Sequence, residues 1–377
     1  SNKMTTIKSI QNHNYDLFKA KSASSTSSDT VEEVFQFHKS IGNEKTPLIE
    51  LKGLADYLEV QSIFVKDDSR RLGLNAFKGL GASYAMNRQL EKNPKIEVFC
   101  TATDGNHGKA VAWMARKLKK KAVIYMPKGT VSDRINAIEK EGAEVNVINQ
   151  GYDAAVKKAH DKVDSFKDSK SWCLVQDTAW DGYEEIPMDI MRGYLTQAHE
   201  ITEQIKDQAI DIIFLQSGVG SWAASLMMYI FSFWKTPPLF ISVEPHSANC
   251  LFQSIQSSKR VSVENDKTTA MAGLDCGTVS TEAWKILEHG IFGSVSIDDT
   301  LMEDAVRAFA NPLENDIKIK SGESGASPLA ALIGLINSNE HDGFKKAIKL
   351  NNRSNILVIN TEGDTDRVNY ERILSSV

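Results

Sequence analysis

The chain has 377 residues, of which 25% are charged and 41% hydrophobic, with a formal net charge of -5. That length outgrows one simple core and suits two domains. Acidic and basic residues are mixed along it, with no basic block or aromatic-basic stripe, so nucleic acid is not an expected partner. The longest apolar run, from Leu226 to Trp234, is about half of what a bilayer span needs, so no membrane role is expected.

The N-terminus is polar and lacks the apolar core of a secretory signal, and Ser1-Asn2-Lys3 ahead of Met4 reads as a cloning remnant. Cys100, Cys173, Cys250 and Cys276 show no CxxC spacing and have no paired histidines nearby, so no metal site is expected. Free thiols in a reducing cytoplasm are the default. Cys250 and Cys276 are the one pair to test for a bridge, because both fall in loop-like segments of the same half.

A serine-rich stretch over 22–28 precedes a helix predicted over 31–41, with Asp29 or Thr30 as its cap. A strand is predicted over 62–66, then a charged turn, Asp67-Asp68-Ser69-Arg70-Arg71. Next comes the apolar, glycine-flanked run Leu74-Asn75-Ala76-Phe77-Lys78-Gly79-Leu80-Gly81, with a helix predicted from 82 to 90. Lys78 is the single charge in that run. Desolvation and a helix N-terminus both disfavour an ammonium, so Lys78 is expected to lose its proton easily. A neutral lysine amine is what imine chemistry with an aldehyde cofactor requires. Taken alone, a surface lysine covering apolar neighbours with its stem is the commoner case.

Strands predicted over 97–101, 122–126, 144–148 and 172–176 alternate with helices over 109–118, 132–141 and 152–163. A long helix is predicted from 187 to about 206, followed by strands over 210–215, 239–244 and 355–360. This alternation implies an α/β fold with parallel strands and helices on the sheet faces. Ligands of such sheets sit beyond the carboxyl ends of strands, where the glycine-rich turns fall. The poorly patterned loop over 257–277 is long enough to be functional or mobile.

Five strand-end or helix-start motifs stand out. Thr103-Asp104-Gly105-Asn106-His107-Gly108 offers a proton acceptor in Asp104 and a ring-oxygen donor in Asn106, or a plain helix cap. Ser217-Gly218-Val219-Gly220-Ser221 offers backbone N–H groups to an anion. It is not a P-loop, but Ala223 at the third glycine position and Glu244 at the next strand end keep a dinucleotide site open. Gln176-Asp177-Thr178-Ala179-Trp180 supplies a carboxylate that can hold an ammonium. Thr361-Glu362-Gly363-Asp364-Thr365-Asp366 reads as a hydroxyl and carboxylates lining a cleft, or as a solvated acidic turn. Ser321-Gly322-Glu323-Ser324-Gly325-Ala326 reads nearly as well as a capped helix start. The eight histidines form no metal motif, and neither GxSxG nor HExxH is present.

These segments, together with Val65–Ser69 and Val123–Gly129, occur in an order that resembles the tryptophan synthase β-like family of pyridoxal 5′-phosphate enzymes, fold type II. The resemblance runs from about Thr46 to Asp366 and looks closest to the diaminopropionate ammonia-lyases within that family. Asp104 carries the distinction, since the hydroxyamino-acid dehydratases of this fold usually have serine there. Val219 interrupts the glycine run usual in those dehydratases.

The resemblance implies two open, twisted, mostly parallel sheets flanked by helices, with the cofactor in the cleft between them. The large domain would comprise residues 1–90 and 188–377, and the small domain 91–187. Lys78 would carry pyridoxal phosphate as an aldimine. The backbone of Gly218, Val219, Gly220 and Ser221 would hold the phosphate, Asn106 the ring hydroxyl, and Thr361 the pyridine nitrogen. The implied reaction is β-elimination of 2,3-diaminopropionate through aminoacrylate to pyruvate and two ammonia. Lys78 would serve the L-isomer as base and Asp104 the D-isomer, with Asp177 holding the β-ammonium. A small amino-acid substrate, a homodimer and a cytoplasmic location complete the expectation. A threonine or serine dehydratase is the near alternative, and an NAD-binding dehydrogenase the distant one.

Overall fold

The computed structural model describes residues 7–264 and 268–376, so the Ser1–Lys3 segment lies outside the described residues. The described residues include eleven strands, in chain order β1 (Ile7–Gln11), β2 (Leu48–Glu50), β3 (Ser62–Asp67), β4 (Val98–Ala102), β5 (Lys121–Met126), β6 (Glu144–Val147), β7 (Trp172–Leu174), β8 (Ile212–Gln216), β9 (Leu239–Pro245), β10 (Ile291–Ile297) and β11 (Asn355–Asn360). They form a seven-stranded sheet, β1-β10-β9-β8-β11-β3-β2, and a four-stranded sheet, β6-β5-β4-β7. Among the described strands, only the edge pairs β1–β10 and β2–β3 are antiparallel. The interior pairs of the large sheet and every pair of the small one are parallel. Parallel strands covered on both faces read as continuous apolar runs, as Ile212-Ile213-Phe214-Leu215 and Ile356-Leu357-Val358-Ile359 do.

This strand order builds the site. β3, β11 and β8 are adjacent and parallel, so the segments that follow them lie side by side. Those segments carry Lys78, Thr361 and the Gly218 turn. In the small sheet, β4 and β7 are adjacent and parallel, which brings the Asp104–Asn106 turn beside Asp177.

Several elements differ from the sequence reading. The helix at 28–40 is capped by Ser27, whose hydroxyl accepts the Thr30 N–H, and not by Asp29 or Thr30. The helix predicted over 187–206 is two helices, Glu185–Gly193 and Leu195–Ile205, meeting at Tyr194. Gly193 is pressed against helix Gly79–Lys92, where a Cβ would lie 2.4 Å from the Leu80 carbonyl oxygen. β1, β2 and β10 have no counterpart in the prediction. β10 reads Ile-Phe-Gly-Ser-Val-Ser-Ile, and its buried serines hide the pattern. Ser294 pairs with Ser242 at 2.6 Å, and Ser296 pairs with His246, so neither costs an unmet hydrogen bond. The apolar run at 226–234 falls largely in the buried helix Ser221–Phe233. Among the described residues no helix is long and apolar enough to cross a membrane.

In the charged turn after β3, Asp68 and Arg71 are buried while Arg70 stays exposed. Arg71 bonds Asp68 at 2.9 Å and Glu200 at 2.8 Å, and Lys66 bonds Glu200 at 2.8 Å, with all four side chains at most 2% exposed. Gln197 extends the network by donating to Asp68 at 2.7 Å and accepting from the Trp222 indole at 2.7 Å. Trp222 sits in the first turn of helix Ser221–Phe233. The turn that leads to Lys78 and the helix start that follows the Gly218 turn are thus anchored to one buried charge cluster. Breaking a buried ion pair by removing one partner strands the other charge. Arg71→Met is expected to lower stability by about 3 to 5 kcal/mol. The check is the urea unfolding midpoint, which drops while the m-value stays unchanged. A midpoint within error of the parent overturns this account of the turn.

Candidate active site

Lys78 occupies the N-cap position of helix Gly79–Lys92 and is 19% exposed. Its Nζ lies 2.9 Å from Oδ2 of Asp177, which is 7% exposed. Burial pushes the lysine toward the neutral amine, but the Asp177 carboxylate outweighs it, and the pKa sits above the ordinary lysine value. The expectation of an easily lost proton is therefore corrected: without another partner, Lys78 is an ammonium. Burial likewise works against the Asp177 carboxylate, but Lys78 prevails and draws its pKa down to about 2.

The turn after β8 is shaped by space. Gly220 has φ +92, which an L-residue adopts only under strain. A Cβ on Gly218 would lie 2.5 Å from the Gly273 carbonyl oxygen. The turn ends at helix Ser221–Phe233, whose first N–H groups have no intrahelical acceptor. The Ser221 hydroxyl donates to the Asp177 carbonyl oxygen, so Ser221 also fastens the Asp177 segment to the turn.

Thr361 stands beside this turn. Gln216, the last residue of β8, donates to Thr361 Oγ1 at 3.2 Å and to the Ile359 carbonyl at 3.0 Å. The Thr361 hydroxyl accepts that bond and keeps its own hydrogen free to turn into the cleft. Ser217 Oγ and Ser324 Oγ are buried with no hydrogen-bond partner. Both line one narrow cavity with Lys78, Gly218, Gly220 and Thr361. Orphaned hydroxyls beside a lysine and an anion-binding helix start are the donor set that a phosphorylated pyridine aldehyde needs.

On the facing wall, Thr103 does the capping that Asp104 or Asn106 offered in sequence. Its hydroxyl accepts the N–H of Gly105 at 2.9 Å and of Gly108 at 2.8 Å. Asn106 begins helix Asn106–Lys117 and donates to Glu362 Oε2 at 2.8 Å. Asp104 lines the cleft with Lys78, Asp177 and Tyr152. Burial, joined by the nearby Asp275 carboxyl, holds its pKa well above the usual carboxylate range, against the opposing pull of Lys78 and Arg134. His107 bonds the Val175 carbonyl at 2.8 Å, and burial keeps its ring neutral.

Lys78, Asp104, Asn106, Asp177, the Gly218–Ser221 turn and Thr361 therefore converge on one cleft. Others were hidden in the chain. Gln216 left a trace as the polar end of an apolar strand, and Ser324 and Glu362 lay unassigned inside their motifs. Asp275, Cys276 and Gly273 come from the long loop and gave no signal. That loop contributes the short turn Ala272–Leu274, which packs on the Gly218 turn. Cys250 and Cys276 are both free and buried.

Glu244 does not join the cleft. It is fully buried, and its two oxygens accept the Leu251 and Phe252 N–H groups at 2.8 and 2.7 Å, capping helix Cys250–Ser257. Burial lifts its pKa to about 8. A carboxyl committed to a helix start cannot read a ribose, which removes the physical basis of the dinucleotide alternative. Among the described residues, no group of His, Cys, Asp and Glu is placed to hold a metal ion.

The family model for pyridoxal-phosphate dependent enzymes matches residues 39–362. The diaminopropionate ammonia-lyase of Salmonella typhimurium is 41% identical over 371 residues, covering 91% of each chain. A crystal structure of the Escherichia coli diaminopropionate ammonia-lyase, in complex with an aminoacrylate-PLP azomethine reaction intermediate, superimposes with a TM-score of 0.90 at 35% identity, covering 98% of this chain and 97% of that one. A biosynthetic L-threonine dehydratase of Haemophilus influenzae is 27% identical over 305 residues, covering 80% of this chain and 55% of that one. This chain belongs to the pyridoxal-phosphate dependent enzymes of fold type II.

Proposed function

We propose that the chain is a diaminopropionate ammonia-lyase, converting 2,3-diaminopropionate of L and D configuration to pyruvate and two ammonia. The observation that carries this reading is Asp104, an acid sharing the cleft of the Lys78–Asp177 pair. A substrate with a second ammonium meets two carboxyls there, whereas a hydroxyamino acid has no use for the second.

Pyridoxal phosphate, when bound, supplies the electron sink that makes Cα acidic. Lys78 would attach it, the Gly218–Ser221 backbone would hold its phosphate, and Asn106 and Thr361 would serve the ring hydroxyl and the pyridine nitrogen. As a neutral amine, Lys78 would take the Cα proton of the L-isomer. Asp177 stabilises the ammonium that results and attracts the β-ammonium of incoming substrate. Asp104 takes the Cα proton of the D-isomer from the other face. Loss of the β-amine leaves an enamine that hydrolyses to pyruvate and the second ammonia. We also assign the small domain to residues 91–187 and the large one to 1–90 and 188–377, and expect a cytoplasmic homodimer.

Ammonia and pyruvate release from diaminopropionate, compared with threonine and serine, tests the reading. Turnover of diaminopropionate is expected to exceed that of threonine by about a hundredfold or more, the size of discrimination a charge-pairing site achieves. Equal or faster turnover of threonine assigns the chain to the dehydratases instead.

A further inference from the structure

Glu362 follows Thr361 at the end of β11, and its backbone is already part of the site. It bridges to Ala76, while the Phe77 N–H donates to the Thr361 carbonyl at 3.1 Å and the Gly363 N–H to the Asn75 carbonyl at 3.0 Å. The run that carries Lys78 is thereby fastened to residues 361–363. The Glu362 side chain is 2% exposed and gathers donors from three places. Asn106 Nδ2 reaches it at 2.8 Å from the small-sheet side. The Ser324 N–H reaches it at 3.0 Å from the start of helix Glu323–Asn337, and Thr365 Oγ1 at 3.1 Å. Thr365 in turn accepts from Arg134 at 3.1 and 3.3 Å. A Cβ on Gly322 would lie 2.9 Å from Glu362 Cγ and Cδ, so the backbone opposite is shaped around this side chain.

A carboxylate only accepts hydrogen bonds, so the Asn106 atom that faces Glu362 is the amide nitrogen whatever else surrounds it. We infer that Glu362 is a positioning residue that locks the Asn106 amide in one orientation and thereby sets which atom Asn106 turns toward the cofactor ring. With Glu362 in place, the second Nδ2–H remains available to a ring oxygen, and the amide cannot flip to set its own oxygen against it. The inference rests on the reading of Asn106 as the partner of the ring hydroxyl.

The test removes the cofactor, titrates the protein with pyridoxal phosphate, and records the dissociation constant and the ratio of visible to near-ultraviolet absorbance. Asn106→Ala is expected to weaken binding and move that ratio. Glu362→Gln is expected to move the ratio in the same direction and raise the dissociation constant about tenfold, the worth of one charge-assisted hydrogen bond. The double variant is expected to go no further than Asn106→Ala alone, because the two residues act as one unit. A wild-type ratio and affinity in Glu362→Gln, or an additive double variant, overturns the inference. A lowered unfolding midpoint with an unmoved ratio reduces Glu362 to a structural role and overturns it too. If Asn106→Ala itself binds and absorbs as the parent does, the reading of Asn106 fails instead. Glu362→Asp, which keeps the charge but is too short to reach both Asn106 and Ser324, replaces the Gln variant under the same criteria should that fail to fold.

Discussion

Lys78→Ala is expected to yield a colourless protein. The visible absorbance of the bound cofactor disappears, and pyruvate release falls by about a thousandfold or more, the loss expected when attachment point and base go together. The geometry adds a second consequence. Asp177 is nearly buried, and its carboxylate owes its low pKa of about 2 to Lys78. A carboxyl depressed in the folded state contributes stability above its unfolded pKa and loses it as pH falls through the folded value. Without Lys78 that contribution disappears, and unfolding midpoints at neutral pH drop toward those measured in acid. Lys78→Arg separates the two effects, since a guanidinium keeps the pair with Asp177 but forms no imine with an aldehyde. It should recover stability and leave the absorbance absent. An unchanged cofactor spectrum in Lys78→Ala ends the assignment of Lys78.

How far the site was legible depended on whether its signal was local. The positions of Lys78, the Gly218 turn and Thr361 follow from strands whose both-face burial writes continuous apolar runs into the chain. β10 escaped because its buried serines are paired at long range, Ser294 with Ser242 and Ser296 with His246, and no local pattern announces a buried serine that is already paired. The ionisation of Lys78 was legible only in half. Burial and the helix start could be read from neighbours, but the opposing carboxylate lies 99 residues along the chain. Likewise, nothing local to Asp67–Arg71 tells that Glu200 comes from a distant helix to bury that turn. The capping of the Asp104 turn is local, yet the sequence offered Asp104 or Asn106 for it, and only the geometry brings in the Thr103 hydroxyl. Long-range charge pairing is where sequence reading ran out, because Coulomb energy depends on distances that the fold alone sets.

The same limit shapes what Asp104 does. Burial and Asp275, whose own pKa is raised to about 6, hold the pKa of Asp104 well above the usual carboxylate range. A protonated acid cannot take a proton from Cα, so Asp104 serves as base only above its raised pKa. Activity on the D-isomer is therefore expected to climb with pH through the Asp104 titration. Lys78 reaches the L-isomer from its own face, so the L-isomer profile lacks that limb. The profile of kcat/KM reports the free enzyme. Asp104→Asn keeps the shape and removes the titration. It should cut kcat/KM for D-diaminopropionate by about a hundredfold or more, with a much smaller loss on the L-isomer, and erase the D-specific limb. Equal losses on both isomers, or a limb that survives the substitution, take the stereochemical role away from Asp104 and leave it as a binding group for the β-ammonium.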